Sequence, residues 1–175
     1  MDTPTAGAPS RLIRVNHGPA LGPSDRGDEV RRLQRLLVML DVLPYIGISG
    51  RYDQATAYAV RSLQTDMGVD ATGEVDEDLW AELPADPVTP PLVEGDEGEV
   101  VAALQAALSD VRGPGEDTDP GPADGVFGPM TKLAVQAYQR DRSLDETGVV
   151  DDPTWWVPAD ADGTNLARLA QLVTG

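Results

Sequence analysis

The chain repeats itself. Asp25-Arg26-Gly27-Asp28-Glu29-Val30-Arg31-Arg32-Leu33-Gln34 lies over Asp96-Glu97-Gly98-Glu99-Val100-Val101-Ala102-Ala103-Leu104-Gln105 at an offset of 71 residues. Gly50-Arg51-Tyr52 with Thr56, Ala59, Val60 and Gln64 lies over Gly125-Val126-Phe127 with Thr131, Ala134, Val135 and Gln139, now at an offset of 75. The offset of 75 also sets Thr72-Gly73, Val75-Asp76 and Trp80 over Thr147-Gly148, Val150-Asp151 and Trp155. The growth by four residues places an insertion in the second copy, within the Gly-, Pro- and Asp-rich run 113–122. Self-similarity at such a period means one supersecondary unit used twice.

Each copy reads as three helices. In copy one, Val30, Leu33, Leu37 and Leu40 recur at helical spacing on one face. Pro44 ends that helix at or before Leu43, because a proline disfavours α geometry in the residue before it. Asp53 is a good N-cap for a second helix through Thr56, Ala59, Val60, Leu63 and Met67, and Gly68 is placed to close it in left-handed geometry. Asp76 caps a short third helix with Leu79, Trp80 and Leu83. Copy two repeats the scheme with Val101, Leu104 and Leu108, then Pro129 at a helix start, then Asp151, Pro153 and Trp155. The expected fold is all-α: two tandem small three-helix bundles at residues 25–83 and 96–157, joined by a Pro-rich linker at 84–95. An N-terminal extension, 1–24, and a C-terminal extension, 158–175, flank them. The C-terminal piece carries Leu166, Leu169, Leu172 and Val173 and reads as one more amphipathic helix, docked on copy two or on another chain.

Composition removes several chemistries. There is no cysteine, hence no disulfide frame, thiolate zinc site or cysteine nucleophile. His17 is the one histidine, so no two-histidine metal centre is available, and a Ser-His-Asp triad would need a residue flanked by Gly and Pro. Thirty acids against thirteen Lys and Arg give a net charge of −17, which repels nucleic acid and anionic lipid. So many acids guarantee chance carboxylate pairs, and none stands out as a glycosidase pair. Asp117, Asp119 and Asp124 lack EF-hand spacing and read as a solvated acidic loop. No run approaches the ~20 apolar residues of a membrane span. Met1–Ala6 shows no basic region followed by an apolar core, so no signal peptide is expected.

Taken together, three motifs resemble the peptidoglycan-binding-like domain family. They are Gly-x-x-Val-x-x-Leu-Gln-x-x-Leu, then Asp-Gly-x-Phe-Gly-x-x-Thr-x-x-Ala-Val-x-x-Tyr-Gln, then Gly-x-Val-Asp-x-x-Thr-Trp. Copy two carries nearly the whole pattern, through Gly98, Val101, Leu104, Gln105, Asp124, Gly125, Phe127, Gly128, Thr131, Ala134, Val135, Gln139, Gly148, Val150, Thr154 and Trp155. Copy one departs from it: Ser49 stands for the motif's Asp, Asp53 for its second Gly, and Leu79-Trp80 for Thr-Trp. Those departures put a ligand role for that loop of copy one in doubt.

The resemblance implies a three-helix targeting module with no catalysis, no cofactor and no metal. It points to non-enzymatic binding of bacterial cell-wall peptidoglycan, glycan or stem peptide, through two tandem modules. The contacts it carries over are Asp124, Gly125, Phe127, Thr131 and Tyr138, with Arg140 and Arg142 facing stem-peptide carboxylates. Folding competes for most of these residues. The glycines suit a tight turn, Phe127 suits the core, and Gln34, Gln64, Gln105 and Gln139 suit backbone contacts between helices. Trp155 and Trp156 cannot share one direction on a helix, so one is expected to be more exposed, to stack on a sugar ring or, the favoured reading, to cover the C-terminal helix. The rival reading is a structural component of a phage tail or contractile injection particle, using the same fold for contact with other protein chains. A weaker one is an accessory part of a cell-wall hydrolase. The expected location is the cell wall or an extracellular particle, with neither nucleic acid nor membrane as partner.

Overall fold

A computed structural model describes residues 16–87, 89–112, 119–160 and 162–173. Most of the expected insertion, Asp117 with it, lies outside the described residues, as does most of the N-terminal extension. The chain is all-α and tandem. Copy one consists of α1 (Asp28–Met39), a 3-10 turn at Tyr45–Gly47, α2 (Gln54–Asp66) and α3 (Glu77–Glu82). Copy two consists of α4 (Glu99–Arg112), α5 (Pro129–Asp141) and α6 (Asp152–Trp156), and α7 (Leu166–Leu169) follows. Among the described residues, extended backbone pairs only as single bridges.

Helix boundaries follow local chemistry. Asp53, Asp76 and Asp151 each accept the backbone N–H three residues on, at 2.9, 2.9 and 3.1 Å, and so satisfy a donor that the first turn leaves free. Pro129 occupies the start of α5, where its missing N–H costs nothing. Gly68 follows α2 with φ +72°, the left-handed closure its position suggests. Val30, Leu33 and Leu37 are fully buried, but Leu40 is 38% exposed, because α1 stops at Met39 and the helical face ends with it.

The same device joins helix to helix four times. Gln34, Gln64, Gln105 and Gln139 are buried. Each Oε1 accepts the N–H of a turn glycine: Gly50 at 2.8 Å, Gly73 at 2.8 Å, Gly125 at 3.0 Å and Gly148 at 2.9 Å. Each Nε2 donates to the carbonyl of the next residue, at Arg51, Glu74, Val126 and Val149. Each turn opens with a residue whose side-chain oxygen accepts a backbone N–H two residues on: Ser49, Thr72, Asp124 and Thr147. After each turn an apolar residue points inward, Tyr52, Val75, Phe127 or Val150. The turn glycines have φ between +70° and +78°, which a side chain would strain. Gly125 is confined further, since a Cβ there would sit 3.1 Å from the carbonyl oxygen of Gly98.

Segments outside the helices complete the units. Leu21 pairs with Val75 and, at the matching position, Leu92 pairs with Val150. Trp80 Nε1 donates to the Pro19 carbonyl and Trp155 Nε1 to the Pro90 carbonyl, both at 2.8 Å. Residues 19–21 and 90–92 thus belong to the packing of copies one and two, so we propose that the folding units extend into these flanks. At the other end, α7 packs on α4 and α6. The C-terminal helix therefore docks on copy two, and both Trp155 and Trp156 are buried, at 0 and 1% exposure. The expectation that one tryptophan would be exposed fails because the segment after α6 folds back over it.

Two stability outcomes follow. Gln105→Met roughly keeps the volume but strands the Gly125 N–H and takes a donor from the Val126 carbonyl and from Thr131 Oγ1, and should lower unfolding free energy by about 2–4 kcal/mol, read by urea denaturation. A chain starting at residue 25 leaves the Trp80 indole N–H without its carbonyl and uncovers Val75. It should lose roughly 2 kcal/mol or more against the same chain starting at residue 16, by the same measurement.

Candidate functional site

The six positions singled out in copy two sit on one turn and the helix after it, yet the fold uses most of them internally. Phe127, Thr131 and Tyr138 are at most 1% exposed. Thr131 Oγ1 accepts from Gln105 Nε2 at 3.0 Å, and the Tyr138 hydroxyl donates to the Val157 carbonyl at 3.2 Å. The Gly125 N–H is committed to Gln105. These four offer no side-chain surface to a polymer. Asp124 and Arg140 remain at the surface.

Asp124 has a structural task as well. Its Oδ1 accepts the Val126 N–H at 2.9 Å and Gln105 Nε2 at 3.1 Å. These bonds, the Val126 N–H foremost, hold its carboxyl below the usual carboxylate range. In copy one Ser49 takes the same place with a hydroxyl that accepts the Arg51 N–H at 3.2 Å. Asp53, the other departure from the motif, caps α2, which Gly128 does without a side chain. Arg140 pairs with Glu146 at 2.8 Å, and their hydrogen bond raises the arginine and lowers the glutamate. Arg142 lies 4.0 Å over the Tyr138 ring and donates to the Ala159 carbonyl at 2.6 Å, so it is bound to the fold and not to a carboxylate outside.

Sequence reasoning treats the copies separately and therefore misses what lies between them. The 3-10 turn of copy one packs against α6 of copy two. Arg35 of α1 reaches Asp152 at the start of α6 with both carboxylate oxygens within 3.4 Å of Nη1. Arg168 of α7 donates to the Met39 carbonyl at 3.1 Å, a second tie between the copies. A partly buried ion pair of this kind contributes about 1 kcal/mol. The stronger tie is apolar: buried side chains of both copies form one contiguous cluster.

Beside this junction runs a groove of about 880 Å³. Its polar lining comes from Asp28, Arg31 and Arg35 of copy one, Asp151 and Asp152 of copy two, and Thr89 of the connector. Ile48 and prolines 87, 90, 91 and 153 wall it. The size suits a short peptide or a disaccharide unit. A second cleft, about 860 Å³, lies in copy one between the end of α2 and α3, with Met67, Val69, Asp70, Asp76 and Asp78 on its walls. The matching positions of Met67 and Ala81 in copy two are Arg142 and Trp156, both packed inward. No group of three or more potential metal ligands occurs among the described residues. Nor is any described helix long and apolar enough to cross a membrane.

The sequence model of the family described as "Putative peptidoglycan binding domain" matches the chain twice, over residues 26–83 and 97–156. No curated protein matches it.

The depressed Asp124 carboxyl has a testable sign. A carboxylate stabilised by folding contributes above its unfolded value of about 4 and loses that contribution as pH falls through its lower folded value. Asp124→Asn, which retains an acceptor but no charge, should be less stable than the parent at pH 7. Urea midpoints should converge as the pH drops below 4.

Proposed function

Because the chain belongs to this peptidoglycan-binding domain family, we propose that it binds bacterial cell-wall peptidoglycan without chemical turnover, through two modules held as one body. The observation that carries the reading is the double family match, in which each copy keeps its buried glutamines and turns. A wall is a repeating polymer, and two modules on one rigid body engage it at high effective concentration even when each contact is weak. Asp124 and Arg140 are the surface candidates on copy two. The net charge of −17 opposes capture by wall polyphosphates, so sugar faces, amides and zwitterionic stem peptides are the fitting ligand chemistry.

One observation favours a second reading, contact with other protein chains of a larger particle. Val126, Met130 and Leu133 are 46, 58 and 58% exposed on the outer side of copy two, where copy one has Arg51, Ala55 and Tyr58. An apolar face of this kind suits a protein neighbour.

The discriminating experiment is retention of the full chain on purified sacculi at low and moderate salt, with labelled wall material checked for release. Retention without release is expected. Met130→Glu with Leu133→Glu should leave retention unchanged if wall binding is the role. Absence of retention would move the particle reading ahead.

A further inference from the structure

Among the arginines that copy one carries and copy two lacks, three gather at its first turn. Arg26, Arg31 and Arg51 correspond to Glu97, Ala102 and Val126. Arg26 and Arg51 oppose each other across an antiparallel bridge, a placement in which like charges cost stability. The Arg31 side chain runs over the same turn, its Nε 2.6 Å from where a Cβ on Gly50 would lie. Among the described residues, none of the three side chains has an ion-pair or hydrogen-bond partner, in a chain with thirty acids. The turn framework needs none of these charges, since copy two builds it without them.

Arg31 also lines the groove between the copies, next to Arg35. The two differ: Arg35 is neutralised by Asp152, and Arg31 is not. Thr89 of the connector lines the same groove, with its hydroxyl enclosed by the fold. An unpaired guanidinium on the wall of a groove fits a carboxylate, which accepts from its N–H groups. Asp28, on the same wall as Arg31, supplies the opposite charge.

We infer that the inter-copy groove binds a zwitterionic peptide, its free carboxylate at Arg31 and its ammonium at Asp28. The identification of that peptide as a wall stem peptide rests on the function proposed above. Bare glycan carries no carboxylate–ammonium pair to match the groove, which places the peptide and not the sugar there. The occupant would touch both copies and the connector at once, so the tandem arrangement itself creates the site.

The test titrates the labelled full chain with a soluble stem tetrapeptide, and with the same peptide amidated at its C-terminal carboxyl, following backbone NMR shifts. Shifts should map to Arg31, Arg35 and Thr89. Arg31→Gln should weaken the acid peptide tenfold or more. Arg61→Gln, which removes the same charge from α2, should stay within twofold of the parent, and amidation should weaken binding to the parent as Arg31→Gln does. Shifts confined to surfaces outside the groove, equal losses in both arginine variants, or no peptide binding by the folded parent would overturn the inference. Sacculus retention run alongside separates the two readings. Parent and Arg31→Gln retained equally while the peptide arms fail leaves wall binding standing and removes the groove. Success of the peptide arms without sacculus retention keeps the groove as a peptide site and removes the wall as its source.

Discussion

A glutamine amide offers one carbonyl acceptor and two N–H donors, and at four places this chain wraps a reversal of its backbone around one of them. The turn glycine donates, the next carbonyl accepts, and at Thr56, Thr131 and Thr154 a hydroxyl on the following helix accepts as well. Each amide thus couples the helix it stands on to the start of the next. The groups are buried, so losing one partner leaves the others exposed to the full cost of desolvation. The arrangement fixes where one helix stops, where the next begins, and which apolar residue between them points inward.

Because that framework occupies the inner side, the outer side is free to diverge. Copy one answers Glu97, Ala102 and Val126 with arginines, while copy two answers Arg51, Ala55 and Tyr58 with an apolar face. Ser49 does the work of Asp124 with a hydroxyl, and Asp53 caps a helix that copy two caps without a side chain. The departures of copy one from the family pattern therefore do not damage the turn. They alter charge at the surface.

This division explains what could be read without coordinates. Caps, helix faces and the start of α5 are local matters of spacing and residue type, and the boundaries at Asp53, Asp76, Pro129 and Asp151 stand. The role of the glutamines in backbone contact was equally legible, since a polar residue recurring next to core positions must be satisfied somewhere. Phe127, Thr131 and Tyr138 stood out for the same reason that they are hidden: recurrence marks what a fold requires as readily as what it binds. Leu21 and Leu92 escaped the helical pattern because each pairs through one bridge, which has no period. The groove was illegible because its walls come from residues as far apart as Arg35 and Asp152, brought together by packing that no single copy encodes.

The tie between the copies bears on how a polymer would be held. Two modules on a flexible tether gain affinity by effective concentration, yet they search many relative orientations before both engage. Here Pro19 and Pro90 carbonyls are held by tryptophans, Asp86 in the connector is held by Arg32 at 2.6 Å, and Arg168 reaches from the C-terminal helix back to α1. The connector is thereby part of the packed body. A rigid pair forgoes adaptability and in return keeps a groove of fixed shape at its junction. Such a groove can distinguish ligands by the spacing of their charges, which two loosely joined modules with shallow surfaces cannot do.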